Sequence, residues 1–222
     1  MHLDTKKMPE IRNFFKLTSS IDNWLAYLAD FWMNRRGIFR YKMKDGNIIW
    51  VRAGSDDRYI LNEIYVHNVY TPLPWFAIHE DDTIVDIGAH IGVFSLYSAK
   101  RARKGRIFCF EPVDENFSIL SKHLHENVIR NVTPFQLAVA EKKGRRDFYV
   151  SDPLLHTGRH SFYPLQRGGR KVRMKTTTLQ QIMKDNSLKK INLLKLDCEG
   201  AEYEILYNCP ISLLEKIDRI TM

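Results

Sequence analysis

No apolar run in the 222 residues approaches the roughly 18–20 that a membrane helix needs. The opening stretch MHLDTKKMPEIRNFF is polar and lacks the apolar centre of a secretory signal. Together these absences predict a cytoplasmic protein with no transmembrane segment. Cysteine is scarce: Cys109, Cys198 and Cys209 have neither paired nor C-x-x-C spacing, which excludes a disulfide framework and a zinc site. Cys109 and Cys198 fall in predicted strands, where a thiol packs as a small apolar group. Internal repeats and low-complexity tracts are also missing. What remains is 44% hydrophobic and 27% charged, the make-up of a globular domain with a sizeable core.

Negative charge is outweighed, and the formal net charge is +8. Basic residues gather in KRARKGR (100–106), EKKGRR (141–146) and RGGRKVRMK (167–175). A basic surface attracts anions, so nucleic acid and an anionic substrate stay open as partners. None of the clusters has the interleaved aromatics of a single-strand binder, and solvated turns and helix ends account for them equally.

The chain begins with an extension. Residues 19–36 are predicted as an amphipathic helix capped by Ser20, with Ile21, Trp24, Leu25, Leu28, Phe31 and Trp32 on one packed face. Arg35 and Arg36 suit its C-terminus and Gly37 its end. FRYKM and IIWVR flank the turn signal Asp45-Gly46 and predict a hairpin. Residues 57–69 read as a helix, and TPLPW then breaks the chain. The boundary is placed at residue 75, with residues 76–222 as the main domain.

In that domain strands and helices alternate. TIVDIG, GRIFCFEP and VTPFQLAV are strands, separated by helices over 91–103 and from Asp114, read as a cap, to about Asn127. This rhythm predicts an α/β fold with right-handed crossovers and a parallel sheet. GRRDFYVS and RKVRMKTTT are further short strands with a long loop between them. Thr178 opens a capping box, INLLKLD is a buried strand, 201–207 a helix, and IDRITM a last strand.

In such a sheet, ligands bind beyond the carboxyl ends of the strands. Those ends carry Asp86 with Gly88, then Glu111, then the loop from Ala138, then Asp197 with Glu199. The first loop holds Gly88 and Gly92 but has His90 where a dinucleotide fingerprint has its middle glycine. That argues against close approach to a pyrophosphate. Glu111, at the next strand end, suits an unphosphorylated ribose diol. S-adenosylmethionine carries a ribose and no pyrophosphate; Asp86 suits its positive end and the helix-start N–H groups its carboxylate.

These segments resemble the FkbM family of S-adenosylmethionine-dependent methyltransferases. The matching stretches are VDIGAHIGVFSLYSAK, IFCFEPVDENFSILSKHLHEN, FQLAVAEKKG, VRMKTTTL and INLLKLDCEGAEYEIL, with KMKDGNIIWVRAGSDDRYILNEIY upstream. They cover roughly residues 39–222, and the pairing of FEP with LDCEGAE is the specific part. The resemblance implies a Rossmann-like class I methyltransferase sheet with S-adenosylmethionine as cofactor. It implies O-methylation of a hydroxyl on a sugar, glycan or other small metabolite. By position, Asp86, Gly88, Ala89, His90 and Gly92 would line the methionine end. Glu111 would hold the ribose, and Pro112, Val113, Ala138 and Val139 would flank the adenine. Asp197 would face the methyl donor.

An alcohol needs a general base as the methyl arrives. Asp197 and Glu199 are candidates by placement, and His160 is a third. A helix-start carboxylate explains Glu199 equally, and a surface loop residue explains His160. Asp197 and Glu199 could also serve a divalent ion, but no third ligand has clear spacing, so no metal is assigned. The long loop 152–170, with Phe162, Tyr163 and two histidines, is the candidate substrate lid. Arg52, Asp57 and Glu63 recur in the family's upstream segment and would close the cofactor pocket or form structural ion pairs.

Two departures matter. DCEG replaces an N/D-P-P-Y type motif, which disfavours methylation of planar amino groups. The chain ends at the predicted fifth strand, so the last two strands of the usual seven are missing. Residues 217–222 would be an exposed apolar edge, and the expectation is a truncated piece or an oligomeric partner covering it. The competing readings are a nucleic-acid methyltransferase and a non-catalytic cofactor-binding homologue.

Overall fold

The computed structural model describes residues 16–33, 37–151, 157–158, 160–164 and 169–222. Five strands form one parallel sheet: β3 (Thr83–Ile87), β4 (Arg106–Phe110), β5 (Val132–Phe135), β9 (Leu193–Leu196) and β10 (Ile220–Thr221), in the order β10-β9-β3-β4-β5. The chain fills one side from β3 to β5 and then crosses to β9. The switch point therefore lies between β3 and β9, where an open α/β sheet has its binding crevice. This is the doubly wound, Rossmann-like sheet that the resemblance implies.

Side-chain alternation assigns the two faces. Ile84, Ile107, Cys109 and Leu193 join one core, with the helices Val93–Ala99 and Asp114–Glu126 and the N-terminal extension. Val85, Ile87, Phe108, Phe110, Leu194 and Leu196 join the other, with the helices Leu179–Asp185, Glu202–Tyr207 and Ile211–Leu214. The first core is continuous from Tyr41, Ile49 and Leu61 of the extension to the sheet, so packing shows no break near residue 75.

The hairpin forms as predicted, from β1 (Ile38–Lys42) and β2 (Ile48–Arg52). The helix before it does not run from Ser20. It spans Trp24–Met33, preceded by a separate helical turn at 16–20. Ser20 is no cap: its hydroxyl donates to the carbonyl of Lys16. Ile21 instead bridges to Met43, and Asn23 bonds both Lys42 N and Arg40 O, so the hairpin edge interrupts the helix. The buried face is also different. Tyr27 and Asp30 are buried, and Asp30 accepts from the Tyr41 hydroxyl at 2.5 Å, whereas Trp24 and Leu25 are 47% and 65% exposed. Arg35 and Arg36 lie outside the described residues.

Other boundaries shift. The segment 57–69 is an α-helix over Asp57–Asn62 that becomes a π-helical turn over Glu63–His67. The first crossover helix covers Val93–Ala99, shorter than 91–103. Asp114 begins the next helix without capping it; its carboxylate accepts from Gln136. VTPFQLAV is two strands in different sheets. After β5 the chain bends at Gln136–Leu137, and β6 (Ala138–Val139) joins a three-stranded sheet with β7 (Gly144–Val150) and β8 (Arg170–Thr177). Thr178 accepts from the N–H of Gln181, while the Gln181 amide turns to Asp185, so the capping box is half closed. Cys109 is buried in β4, but Cys198 follows β9 rather than lying in it. Among the described residues no helix is long and apolar enough to cross a membrane.

Candidate active site

The loops at the carboxyl ends of β3, β4 and β9 are locked together by main-chain bonds. The N–H groups of Gly88 and Ala89 both donate to Phe110 O, and Asp197 N donates to Ile87 O. Gly88 has a φ of 76°, and a Cβ there would lie 1.8 Å from Asp197 O. Only glycine lets β3 and β9 come this close. His90 also has a positive φ, 53°, a region His tolerates better than most residues. A histidine in place of the fingerprint glycine therefore keeps the turn shape while adding a side chain.

Glu111 lies at the centre of the site. Its Oε2 accepts from His90 N at 2.9 Å and its Oε1 from Val113 N at 3.0 Å. Burial pushes the Glu111 carboxyl up to about 7, against the pull of these backbone N–H groups and of Asn116 and Lys195. Oε1 also accepts from the Asn116 amide at 3.5 Å, whereas Oε2 has a second lone pair for a ligand hydroxyl.

A cavity opens beside it. Gly88, His90, Glu111, Pro112, Ala138, Val139, His160, Asp197 and Glu199 line it, with the apolar Ile87, Phe110, Leu137, Phe148 and Phe162. Four predicted site residues do not. Asp86 is fully buried beneath the floor, where Ser95 Oγ donates to it at 2.7 Å and Lys195 Nζ lies 2.9 Å away. Ala89 and Val113 are buried in the cores. A Cβ on Gly92 would meet Leu120 at 2.9 Å, so this glycine serves helix packing rather than the ligand.

The Asp86–Lys195 pair was not anticipated. The two residues are direct partners in the β3–β9 register and share the face toward the extension. Burial draws the Lys195 ammonium down, but Asp86, Tyr70 and Asp197 more than offset it and leave the ammonium above its ordinary range. Lys195 Nζ also donates to Gly88 O at 2.9 Å and stands 4.9 Å from the Tyr70 ring. A lone lysine in the otherwise apolar INLLKLD was the available signal: a charge there needs a buried partner.

Arg52 and Asp57 form a two-pronged pair, with Nε to Oδ2 at 2.8 Å and Nη2 to Oδ1 at 2.7 Å. Arg52 also donates to Asn116, Asn116 donates to Thr157 O, and the Thr157 hydroxyl donates to Asp57. The network ties the extension to the wall behind His90 and Glu111. Burial favours a neutral Asp57, but the hydrogen bonds from Arg52 and the charges of His90 and Arg52 hold its carboxyl below the usual range. Burial draws the His90 imidazole down to about 4, with Asp57 opposing.

His160 is buried, and its Nδ1 accepts from Ser151 N at 3.1 Å. Burial, then Arg52, draws it down to about 4. Of the proposed lid, residues 152–156, 159 and 165–168, including His156, lie outside the described residues. Phe162 is a core residue, edge-on to Phe148 at 5.1 Å, and the Tyr163 hydroxyl donates to Glu204.

A second cavity adjoins the first through Ile60, Gly158, Asp197 and Glu199, and adds Asp56, Tyr59, Glu63, Val69, Tyr70 and Met222. The Tyr70 hydroxyl donates to Asp197 Oδ2. Sequence reasoning missed Tyr70. Among the described residues, the charged side chains lining this second wall are all carboxylates: Asp56, Glu63, Asp197 and Glu199. Among the described residues, no group of three His, Cys, Asp or Glu side chains is placed to hold a metal.

The arrangement fits S-adenosylmethionine by the chemistry of its donors and acceptors. A buried carboxylate stands between an apolar slot and a glycine loop, and two further carboxyl groups, Asp197 and Glu199, line the same cavity.

The chain is similar to known methyltransferases. Methyltransferase 1 of Beauveria bassiana is 24% identical over 187 residues, which is 77% of this chain and 74% of the relative. The hexuronic acid methyltransferase AglP of Haloferax volcanii is 27% identical over 127 residues, 57% of this chain and 49% of AglP. The solved structure of methyltransferase FkbM from Methylobacillus flagellatus aligns with 91% of this chain and 45% of its own, at 16% identity and a TM-score of 0.42. The family profile described as the methyltransferase FkbM domain matches residues 86–222, from the buried aspartate of β3 to the last residue. That match takes in the glycine loop, Glu111 and Asp197 together and spans well over half the sequence, so the chain belongs to the FkbM methyltransferase-domain family.

Proposed function

We propose that this protein transfers a methyl group from S-adenosylmethionine to a hydroxyl of a small polyhydroxylated acceptor, a sugar or a related metabolite. The observation that carries the reading is Glu111, buried at the end of β4 with both oxygens fixed by backbone N–H groups. Its carboxylate would accept from the ribose hydroxyls, Oε2 through its free lone pair and Oε1 in place of the long bond from Asn116. Phe110, Pro112, Leu137, Ala138 and Val139 would flank the adenine, and the loop with Gly88 and His90 would hold the methionine end. When bound, S-adenosylmethionine supplies a methyl activated by a positive sulfonium.

The chain's own residues set the rest. Asp197 and Glu199 border both cavities and place negative charge at the seam between them. Asp86 neutralises Lys195 below the floor rather than meeting the ligand. His160 is buried with its Nδ1 taken by the N–H of Ser151 and serves as a wall. The second cavity receives the acceptor. Its acidic wall favours a neutral or amino-bearing polyol, because like charges at close range repel. The sugar chemistry in the name of AglP supports a carbohydrate acceptor, but this wall does not suit the charge of a uronic acid.

Calorimetric titration with S-adenosylmethionine and with NAD tests the donor. Binding of the first and not the second is expected; binding of neither sinks the reading. A labelled-methyl screen of neutral, amino and uronic monosaccharides tests the acceptor, with product expected from the first two classes.

A further inference from the structure

Glu63 opens the π-helical turn Glu63–His67, which closes on Asn68 in the left-handed region at φ 51°. π turns inside helices are rare and concentrate at functional sites, because the extra residue per turn re-aims side chains. Here the turn follows the helix Asp57–Asn62, brings Glu63 to the wall of the second cavity, and delivers Tyr70 to the same wall.

Glu63 and Asp197 thus share one cavity in different surroundings. Asp197 is held. Its side chain takes the Tyr70 hydroxyl, its N–H is bonded to Ile87 O, and Lys195 is close enough to be influenced by its charge. Glu63 meets the Tyr59 hydroxyl and the charges of Asp197 and Lys195. Burial raises its carboxyl, Asp197 raises it further, and Tyr59 and Lys195 oppose. The other groups on this wall are Asp56, Glu199 and the Tyr70 phenol. Two carboxyl groups whose environments differ in this way divide the roles of acid–base group and fixed charge.

We propose that Glu63 accepts the proton of the acceptor hydroxyl, while Asp197, clamped by Tyr70, is the fixed negative charge beside the methyl donor. The assignment rests on the methyl-transfer reading above. In the step, the hydroxyl oxygen bonds the methyl carbon, and the carbon–sulfur bond breaks with its electron pair kept by sulfur. The hydroxyl proton passes to the Glu63 carboxylate. A sulfonium and a carboxylate thereby become a neutral thioether and a neutral acid, and the proton later leaves through the open second cavity.

The test uses the full chain and the variants Glu63→Gln and Asp197→Asn. In the free wild-type protein, carboxyl NMR should find Glu63 titrating above the ordinary glutamate range, and Asp197→Asn should lower it. This measurement needs no acceptor. With the monosaccharide panel, Glu63→Gln should keep S-adenosylmethionine affinity within threefold and lose about 100-fold in turnover. It should also abolish the acidic limb of the pH–rate profile. Turnover above a third of wild type in Glu63→Gln, or an ordinary titration of Glu63, overturns the assignment alone. A wild type that neither binds the donor nor transfers methyl overturns the methyl-transfer reading and the assignment with it.

Discussion

The phenol of Tyr70 donates to the carboxylate of Asp197 across 127 positions of sequence, joining the extension to the loop after β9. Tyr70 also stands edge-on to Phe94 at 5.2 Å, so its ring is braced on the sheet side. Tyr70→Phe keeps that packing and deletes one hydrogen bond to a charged group. A stability loss of about 1.5–3 kcal/mol is expected at neutral pH. In an Asp197→Asn background the same change should cost much less. Urea denaturation of the four proteins in this cycle measures the coupling, and equal costs in both backgrounds would show that the bond contributes nothing.

Glu111→Gln tests the ribose contact. The amide oxygen still accepts one backbone N–H, so the fold should survive, while donor affinity drops at least about tenfold. The pH dependence has a definite sign. Diol hydroxyls donate to the charged carboxylate, and burial pushes that group up to about 7. Affinity for S-adenosylmethionine should therefore rise as pH increases from 6 to 8 and then level off. Glu111→Gln should flatten the rise; a wild-type affinity independent of pH would contradict it.

Acid should destabilise the fold well above the usual carboxylate range. His90, His123 and His160 are each drawn down to about 4, chiefly by burial. His123 shows why: its Nδ1 bonds Ile91 O at 2.7 Å and its Nε2 accepts from Trp50 N at 2.6 Å, which fits only a neutral ring. Each histidine contributes stability that is present above its unfolded pKa of about 6.5 and lost as pH falls toward 4. Glu111, raised when folded, works the other way over the same interval. Three protons taken up on unfolding less one released leaves about two, a slope of about 2–3 kcal/mol per pH unit near pH 5.5. Denaturant midpoints at pH 7, 6 and 5 read this directly. A flat profile would mean the histidines are not buried as described.

The two loop glycines should respond differently to alanine. At Gly92 the new methyl meets the buried Leu120 side chain rather than backbone, and the φ of 81° adds strain of roughly 1–3 kcal/mol. The variant should fold and bind donor. At Gly88 the methyl meets the backbone carbonyl of Asp197, which cannot turn aside. Gly88→Ala should lose donor binding even where it remains soluble. Calorimetry on both variants separates them, and a Gly88→Ala that binds normally would remove the close approach from the explanation.

The buried strands of the parallel sheet, the glycine loop and Glu111 were legible because each leaves a local mark: an apolar run, a turn residue, a charge at a strand end. Local marks fail where distant segments decide. Nothing near Gln136 announces that the chain changes sheets there, since both strands share one period. The break at Ile21–Asn23 exists because the hairpin offers its edge to Asn23. Asp86 was read as a ligand contact because its partner, Lys195, lies 109 residues away and opposite it in the sheet. Tyr70 escaped notice for the same reason, since only the folded extension brings it to Asp197.

The wall of the second cavity has two origins. Asp56, Tyr59, Glu63, Val69 and Tyr70 come from the segment before the sheet, and Asp197, Glu199 and Met222 from the sheet's own loops. The donor-side residues Gly88, Glu111 and Pro112 belong wholly to the second group of loops. Divergence at Asp56, Tyr59 and Val69 can reshape the second cavity while Asp57, Ile60 and Tyr70 of the same segment stay tied to the donor side. Exchanging those three side chains between two relatives should shift their choice of acceptor and leave the donor side in place.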